Sequence, residues 1–202
     1  NCVLAANCED SAGCTADITG DGAYNVLDVV ALVNCVLAGN CADGPGCTAD
    51  ITGDGAYNVL DVVALVNCVL AANCDGGGRI DSATSAKFDV IGNEVTMTAD
   101  GYVGAVEMTL LHGNDFAINL TDEALVAEYL TDGNSTKLMI VEPTGNSLFT
   151  TTGDFTIESV IAASNSESYM QTSISTPSSF SIGDAYPNPF NPTTQFALEL
   201  NN

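Results

Sequence analysis

Basic residues are nearly missing from this chain of 202 residues: three Lys and Arg stand against 26 Asp and Glu, a formal net charge of -23 at pH 7. Such a surface repels polyanions, which excludes nucleic acid and anionic membrane as partners and makes cations the natural one. Also missing is any apolar run of the ~18 residues that a membrane span requires, and the N-terminus lacks the basic-then-apolar layout of a signal peptide. The chain is therefore expected to be soluble as given or already processed, without membrane insertion. Its only histidine, His112, lies in the turn-like stretch LLHGND with no serine or cysteine nucleophile motif around it. Carboxylates are so abundant that some pair must lie close by chance, so no acid–base dyad can be singled out. No enzymatic activity is expected.

Cysteine is absent beyond residue 74: all eight fall between Cys2 and Cys74. An even number crowded into a short acidic segment points to disulfides and an oxidising compartment outside the cytoplasm. Zinc thiolates are the competing reading. Zinc sites, however, usually leave about two to four residues between cysteines, whereas five separate these pairs and His112 lies outside the cluster. A shift of 33 residues aligns Cys2, Cys35 and Cys68, then Cys8, Cys41 and Cys74, then Cys14 and Cys47, which is a tandem repeat. The first copy is represented only by its tail, NCVLAANC, so the chain is expected to begin in mid-repeat.

Within the repeat, DITGDGAYNVLD runs from Asp17 to Asp28 and again, unchanged, from Asp50 to Asp61. Oxygen-bearing side chains at positions 1, 3, 5, 9 and 12, with glycine at position 6, follow the layout of an EF-hand calcium loop. Alternate positions turn oxygen towards one centre, and glycine allows the sharp bend. Asp17, Thr19 and Asp21 are the expected side-chain ligands, Ala23 offers its carbonyl, Asn25 binds directly or through water, and Asp28 closes the loop. The second copy supplies Asp50, Thr52, Asp54, Ala56, Asn58 and Asp61, so two Ca2+ sites are expected. A neutral threonine at position 3 and Asp where Glu is usual predict weak sites, suited to the calcium levels found outside cells, while magnesium is disfavoured by its tighter octahedron. The competing reading is a polar turn that merely caps a helix.

Behind each loop runs VLDVVALVNCVLA, apolar at almost every position. Valine is a mediocre helix former, so this predicted helix depends on the loop at its start and on burial along its length. A helix apolar nearly all round is covered on more than one side, and neighbouring repeats are expected to supply the cover.

Loop-plus-helix units carrying Asn-Val-Leu-Asp-Val-Val resemble dockerin repeats, the calcium modules of cellulosomes and of many secreted bacterial proteins, over residues 1 to about 74. The resemblance implies EF-hand-like units without the entering helix, packed in pairs about a pseudo-twofold. Cellulosomal dockerins carry small hydroxyl residues just before the last ligand to bind a cohesin. This chain has Val26-Leu27 and Val59-Leu60 there, so the resemblance does not bring cohesin capture to those positions. Under the pseudo-twofold, one disulfide scheme joins Cys2 to Cys8, Cys35 to Cys41 and Cys68 to Cys74, leaving Cys14 to meet Cys47. A second ties Cys35 to Cys47 and Cys2 to Cys14, leaving Cys8 to meet Cys41. Cα separations distinguish them.

From about Arg79 the stretches KFDV, EVTMTA, VGAVEMTL, TKLMIVEP and DFTIESVIA alternate and are separated by Gly, Asn and Asp, which predicts an all-β unit. EALVAEYL reads as a helical turn or a strand. This region is similar, more loosely, to the cohesin-like β-sandwiches that accompany dockerin repeats. SISTPSS reads as an extended linker. After it, AYPNPFNPTTQFALEL resembles the opening of the C-terminal sorting domain that directs type IX secretion in Bacteroidetes and relatives; that family continues for several more strands, and its interruption here would fit a mature secreted product. Asn119-Leu-Thr and Asn134-Ser-Thr match the N-glycosylation pattern, and Asp10-Ser-Ala and Asp81-Ser-Ala resemble an O-glycosylation motif of Bacteroidetes-type bacteria, so surface glycans are expected.

The sequence thus predicts an α+β multidomain chain: all-α dockerin-like repeats over 1–76, a cohesin-like β-sandwich over 77–172, and a Ser/Pro linker with a terminal strand over 173–202. That strand, Thr194, Gln195, Phe196, Ala197, Leu198, Glu199 and Leu200, needs a partner edge in its own sandwich or in a neighbouring molecule. The expected function is a calcium-stabilised extracellular structural protein whose copies assemble head to tail into a filament by strand donation. The alternative is a dockerin/cohesin-type adhesion or scaffold module of a larger secreted protein, with polysaccharide degradation as one setting. Expected partners are copies of the chain itself, with glycans or cell-surface proteins beside them.

Overall fold

Helix α1 (Val26–Ala38) starts where Asn25 leaves helical geometry at φ -151° and its side chain accepts the Leu27 N–H at 2.8 Å. Asp28 completes a capping box by accepting the Asn25 N–H at 2.9 Å, so two otherwise orphaned donors of the first turn are satisfied. The helix stops at Gly39, whose φ of 64° suits a residue without Cβ and lets its N–H reach the Val36 carbonyl at 3.3 Å. Helix α2 (Val59–Ala71) repeats the sequence and the start: Asn58 accepts the Leu60 N–H at 2.7 Å, and Asp61 accepts the Asn58 N–H at 3.0 Å. This computed structural model describes residues 17–23, 25–41, 49–71, 82–165, 168–176, 180–182 and 198–200.

Nine strands follow: β1 (Ser85–Ile91), β2 (Glu94–Ala99), β3 (Ala105–His112), β4 (Ala117–Leu120), β5 (Val126–Asp132), β6 (Ser135–Val141), β7 (Ser147–Thr152), β8 (Phe155–Ala163) and β9 (Gln171–Ser175). They form two sheets, in the orders β4-β7-β2-β1-β9 and β5-β6-β3-β8. Alternate residues face the space between the sheets, where Phe88, Met108, Leu110, Leu138, Ile140 and Phe149 form one buried cluster. All pairings are antiparallel except β1 with β9, which run parallel from Ser85↔Gln171 to Asp89↔Ser175. A separate pair joins β10 (Phe180–Ile182) to β11 (Leu198–Leu200), antiparallel.

The five alternating stretches each correspond to a strand, and EALVAEYL resolves as the entry to β5. Four strands stand where the pattern gave no notice, the short FSI of β10 among them. AINL is very short, SLFTTT is rich in threonine, and QTSIS runs into the stretch read as a linker. Residues 173–175 are thus the end of a sandwich strand and not linker; β9 is an edge, where polar residues are tolerated.

The helical pair covers the outer face of the β5-β6-β3-β8 sheet. Strand β6 shows it directly: Leu138 and Ile140 point between the sheets, while Met139 and Val141, on the opposite face, are also fully buried, in one cluster with α1, α2, Ala105, Val126 and Ala163. Cover for α2 therefore comes from the sheet as well as from its neighbouring repeat. Lys137, one of three basic residues in the chain, lies at this seam. Its ammonium sits 2.8 Å from Glu107 on the adjacent strand and 3.5 Å from the Val36 carbonyl at the end of α1, where a positive charge suits the helix dipole.

Candidate functional site

Each repeated loop folds around its first and last aspartates. In the first copy Asp17 accepts the N–H of Asp21 at 3.0 Å and of Gly22 at 2.8 Å, and Asp21 accepts that of Ala23 at 2.8 Å. Asp28, fully buried, accepts the Thr19 N–H at 3.0 Å and the Thr19 hydroxyl at 2.9 Å, besides the Asn25 N–H. The second copy repeats these bonds: Asp50 with Asp54 and Gly55, Asp54 with Ala56, and Asp61 with Thr52 and Asn58. Gly22 and Gly55, at position 6 of the loops, take φ of 84° and 86°, the bend that only glycine makes without strain.

Electrostatics follow from this wrapping. Burial is the largest single influence on Asp28 and raises its pKa, yet the hydrogen bonds from Thr19, Asn25 and Ile18 together outweigh it, and the net direction is down. Of the expected metal residues, all twelve are brought to the two loops, Asn25 and Asn58 at the helix caps and Ala23 and Ala56 with their side chains exposed. Among the described residues, no three carboxylate, imidazole or thiolate groups converge on one point; the aspartates spend their oxygens on the loop's own donors. The donor set is nevertheless all hard oxygen, and the glycine bend is the one a calcium loop needs, so the residues present fit that ion.

The two identical units have unequal surroundings. Val26 and Leu27 at the start of α1 are 41% and 57% exposed, whereas Val59 and Leu60, their counterparts in α2, are 0% and 6% exposed. The second loop faces the sandwich: burial raises the Tyr169 phenol pKa first, and the negative charge of Asp54, Glu107 and Asp61 raises it further. Tyr169 is bridged to Ala163 at the end of β8. Sequence reasoning missed Tyr169, Glu107 and Lys137, and no local signal marks them, because their role arises from contacts far apart in the chain.

Other expected residues divide as follows. Cys35 is bonded to Cys41, with Cα atoms 4.9 Å apart, the pairing that the first disulfide scheme contains and the second lacks. Cys68 is also disulfide-bonded, while Cys2, Cys8, Cys14, Cys47 and Cys74 lie outside the described residues, as do Asp10 and Asp81. Leu198, Glu199 and Leu200 pair with Ile182, Ser181 and Phe180 of the same chain, and Thr194, Gln195, Phe196 and Ala197 lie outside the described residues. His112 ends β3, its ring stacked on Phe116 at 3.9 Å and its Nε2 2.8 Å from the Thr136 hydroxyl. No helix among the described residues is long and apolar enough to cross a membrane.

The family model of the dockerin type I domain matches residues 15–70, a span that takes in both loops and nearly all of both helices. No curated protein matches the chain. Among solved structures, a non-cellulosomal cohesin from the hyperthermophilic archaeon Archaeoglobus fulgidus is similar at 14% identity and a TM-score of 0.32, over 45% of this chain and 84% of that one.

Proposed function

We propose that the helical pair is a calcium-binding protein-docking module, carried with the β-sandwich in an extracellular scaffold or adhesion protein. The observation that carries this reading is the dockerin type I match, which spans both loop-helix units. Asp17, Thr19, Asp21, the Ala23 carbonyl, Asn25 and Asp28 would hold one ion, and Asp50, Thr52, Asp54, the Ala56 carbonyl, Asn58 and Asp61 a second. Calcium would set two positive charges among the carboxylates of each loop and fix the first turn of a valine-rich helix that is weak alone.

The function is binding, with no catalytic group assigned. An oxidising setting outside the cell accords with the Cys35–Cys41 bond, and the likeness of the tail to a type IX sorting domain is part of the same proposal. Asn119 and Asn134, both exposed, are candidate glycan positions. Filament assembly by donation of residues 194–200 has less support than the scaffold reading, because Leu198–Leu200 already has a partner strand in its own chain.

Calorimetric titration of calcium into the chelator-treated full chain tests the reading. Binding is expected, with a rise in thermal stability of about 2.7 kcal/mol per site at calcium a hundredfold above its dissociation constant. No binding heat together with an unchanged melt would overturn it.

A further inference from the structure

Identical sequence in unlike surroundings separates the two loops. The helix behind the second loop is buried on nearly every side, and its first turn, Val59 and Leu60, is closed off where the same turn of α1, Val26 and Leu27, is open. Val63, one turn further, packs against Gly104 just ahead of β3. Tyr169, bridged to Ala163 at the end of β8, lies near enough to Asp54 and Asp61 to feel their charge, which sets the second loop beside the sandwich. A divalent cation in the second loop fixes the first turn of α2, the turn that Val59 and Leu60 bury. The first turn of α1 is open, so an ion in the first loop fixes a turn that buries little, although α1 packs on β5 and β6 further along.

We propose that the second loop alone is an ion-operated latch: cation binding there fastens the helical pair onto the β5-β6-β3-β8 sheet, whereas the first loop stabilises only its own helix. This rests on the calcium reading above. It assigns different tasks to two sites of one sequence and makes the outer face of the sheet, with Met139 and Val141, a surface that is covered or bared according to the second site.

Met139 supplies the readout. It is fully buried beneath the helical pair, while Met108, equally buried, lies between the two sheets and reports on the sandwich itself. Peroxide oxidation of the full chain, followed by mass spectrometry, is compared for D50N/D54N and D17N/D21N in saturating calcium. Met139 should oxidise about tenfold faster in D50N/D54N than in the unaltered chain, a size ordinary for coupling between sites, and at the unaltered rate in D17N/D21N, with Met108 protected throughout. Equal Met139 rates in the two variants, or no change in D50N/D54N, would overturn the latch. Should D50N/D54N expose Met108 as well, the reciprocal arm decides: Gly104→Val, which alters neither loop, must weaken calcium binding at the second site and spare the first, and equal weakening or none overturns the proposal. If the unaltered chain binds no calcium, the functional reading fails; if it binds calcium and Met139 protection ignores the second site, only the latch does.

Discussion

Gly104 leaves no room for a side chain beside Val63: a Cβ on it would stand 2.9 and 3.0 Å from the two Val63 methyls and 3.2 Å from the Ala163 carbonyl oxygen. At this point α2 can come up against the sandwich because one carbon is missing. Gly104→Ala should cost about 1–2 kcal/mol by overpacking, measured by urea denaturation, and the loss should shrink when Val63 is cut to Ala in the same chain.

Asp28→Ala removes the acceptor for the Thr19 and Asn25 N–H groups in a buried place. A loss of about 2 kcal/mol is expected from orphaned donors and a lost cap. Asp61→Ala breaks the same bonds ahead of a more deeply buried helix and should cost more. Melts in chelator isolate this contribution from that of any ion.

Removing the Cys35–Cys41 bond should also weaken α1. With a separation of six residues, the closed loop is short, and a chain-entropy account gives about 2 kcal/mol. Cys35→Ser/Cys41→Ser in one chain, measured by denaturant unfolding against the unaltered protein, checks it.

Acid should loosen the start of β1 through Asp100. Its carboxylate accepts the Thr84 hydroxyl at 2.6 Å and the Thr84 and Ser85 N–H groups at 2.8 and 2.9 Å, and these bonds hold its pKa well below the ordinary value. A depressed folded pKa contributes stability that is complete above the unfolded value, about 3.9 for aspartate, and is lost as pH falls from there towards the folded value. Asp100→Asn should therefore be less stable than the parent at neutral pH, with the difference shrinking below about pH 4; thermal melts across that range read it.

The loops and helix starts were legible because they are local: Asn25, Asp28 and Gly22 act on residues a few positions away, so spacing alone reports them. The strongly alternating strands were legible for the same reason. Strand β9 was not, since polar Ser and Thr are tolerated at an edge and look like linker. Nor was the seat of the helices on the sheet. Ala105, Met139 and Ala163 are ordinary strand residues, and only the assembled sheet shows that their outward face is apolar at one end. Identical sequence could not announce unequal burial, because Leu27 and Leu60 differ in nothing but their neighbours.

The parallel pairing of β1 with β9 has a mechanical meaning. A tether entering ahead of Ser85 and another leaving after Ser175 grip this pair at opposite ends, so tension slides the strands along each other and loads every rung of the ladder at once. Antiparallel end strands, gripped at the same end, would be peeled open rung by rung under a far smaller pull. Force–extension traces of the full chain, drawn from those two points, should show a single high rupture peak for the sandwich, and a low plateau would contradict this geometry.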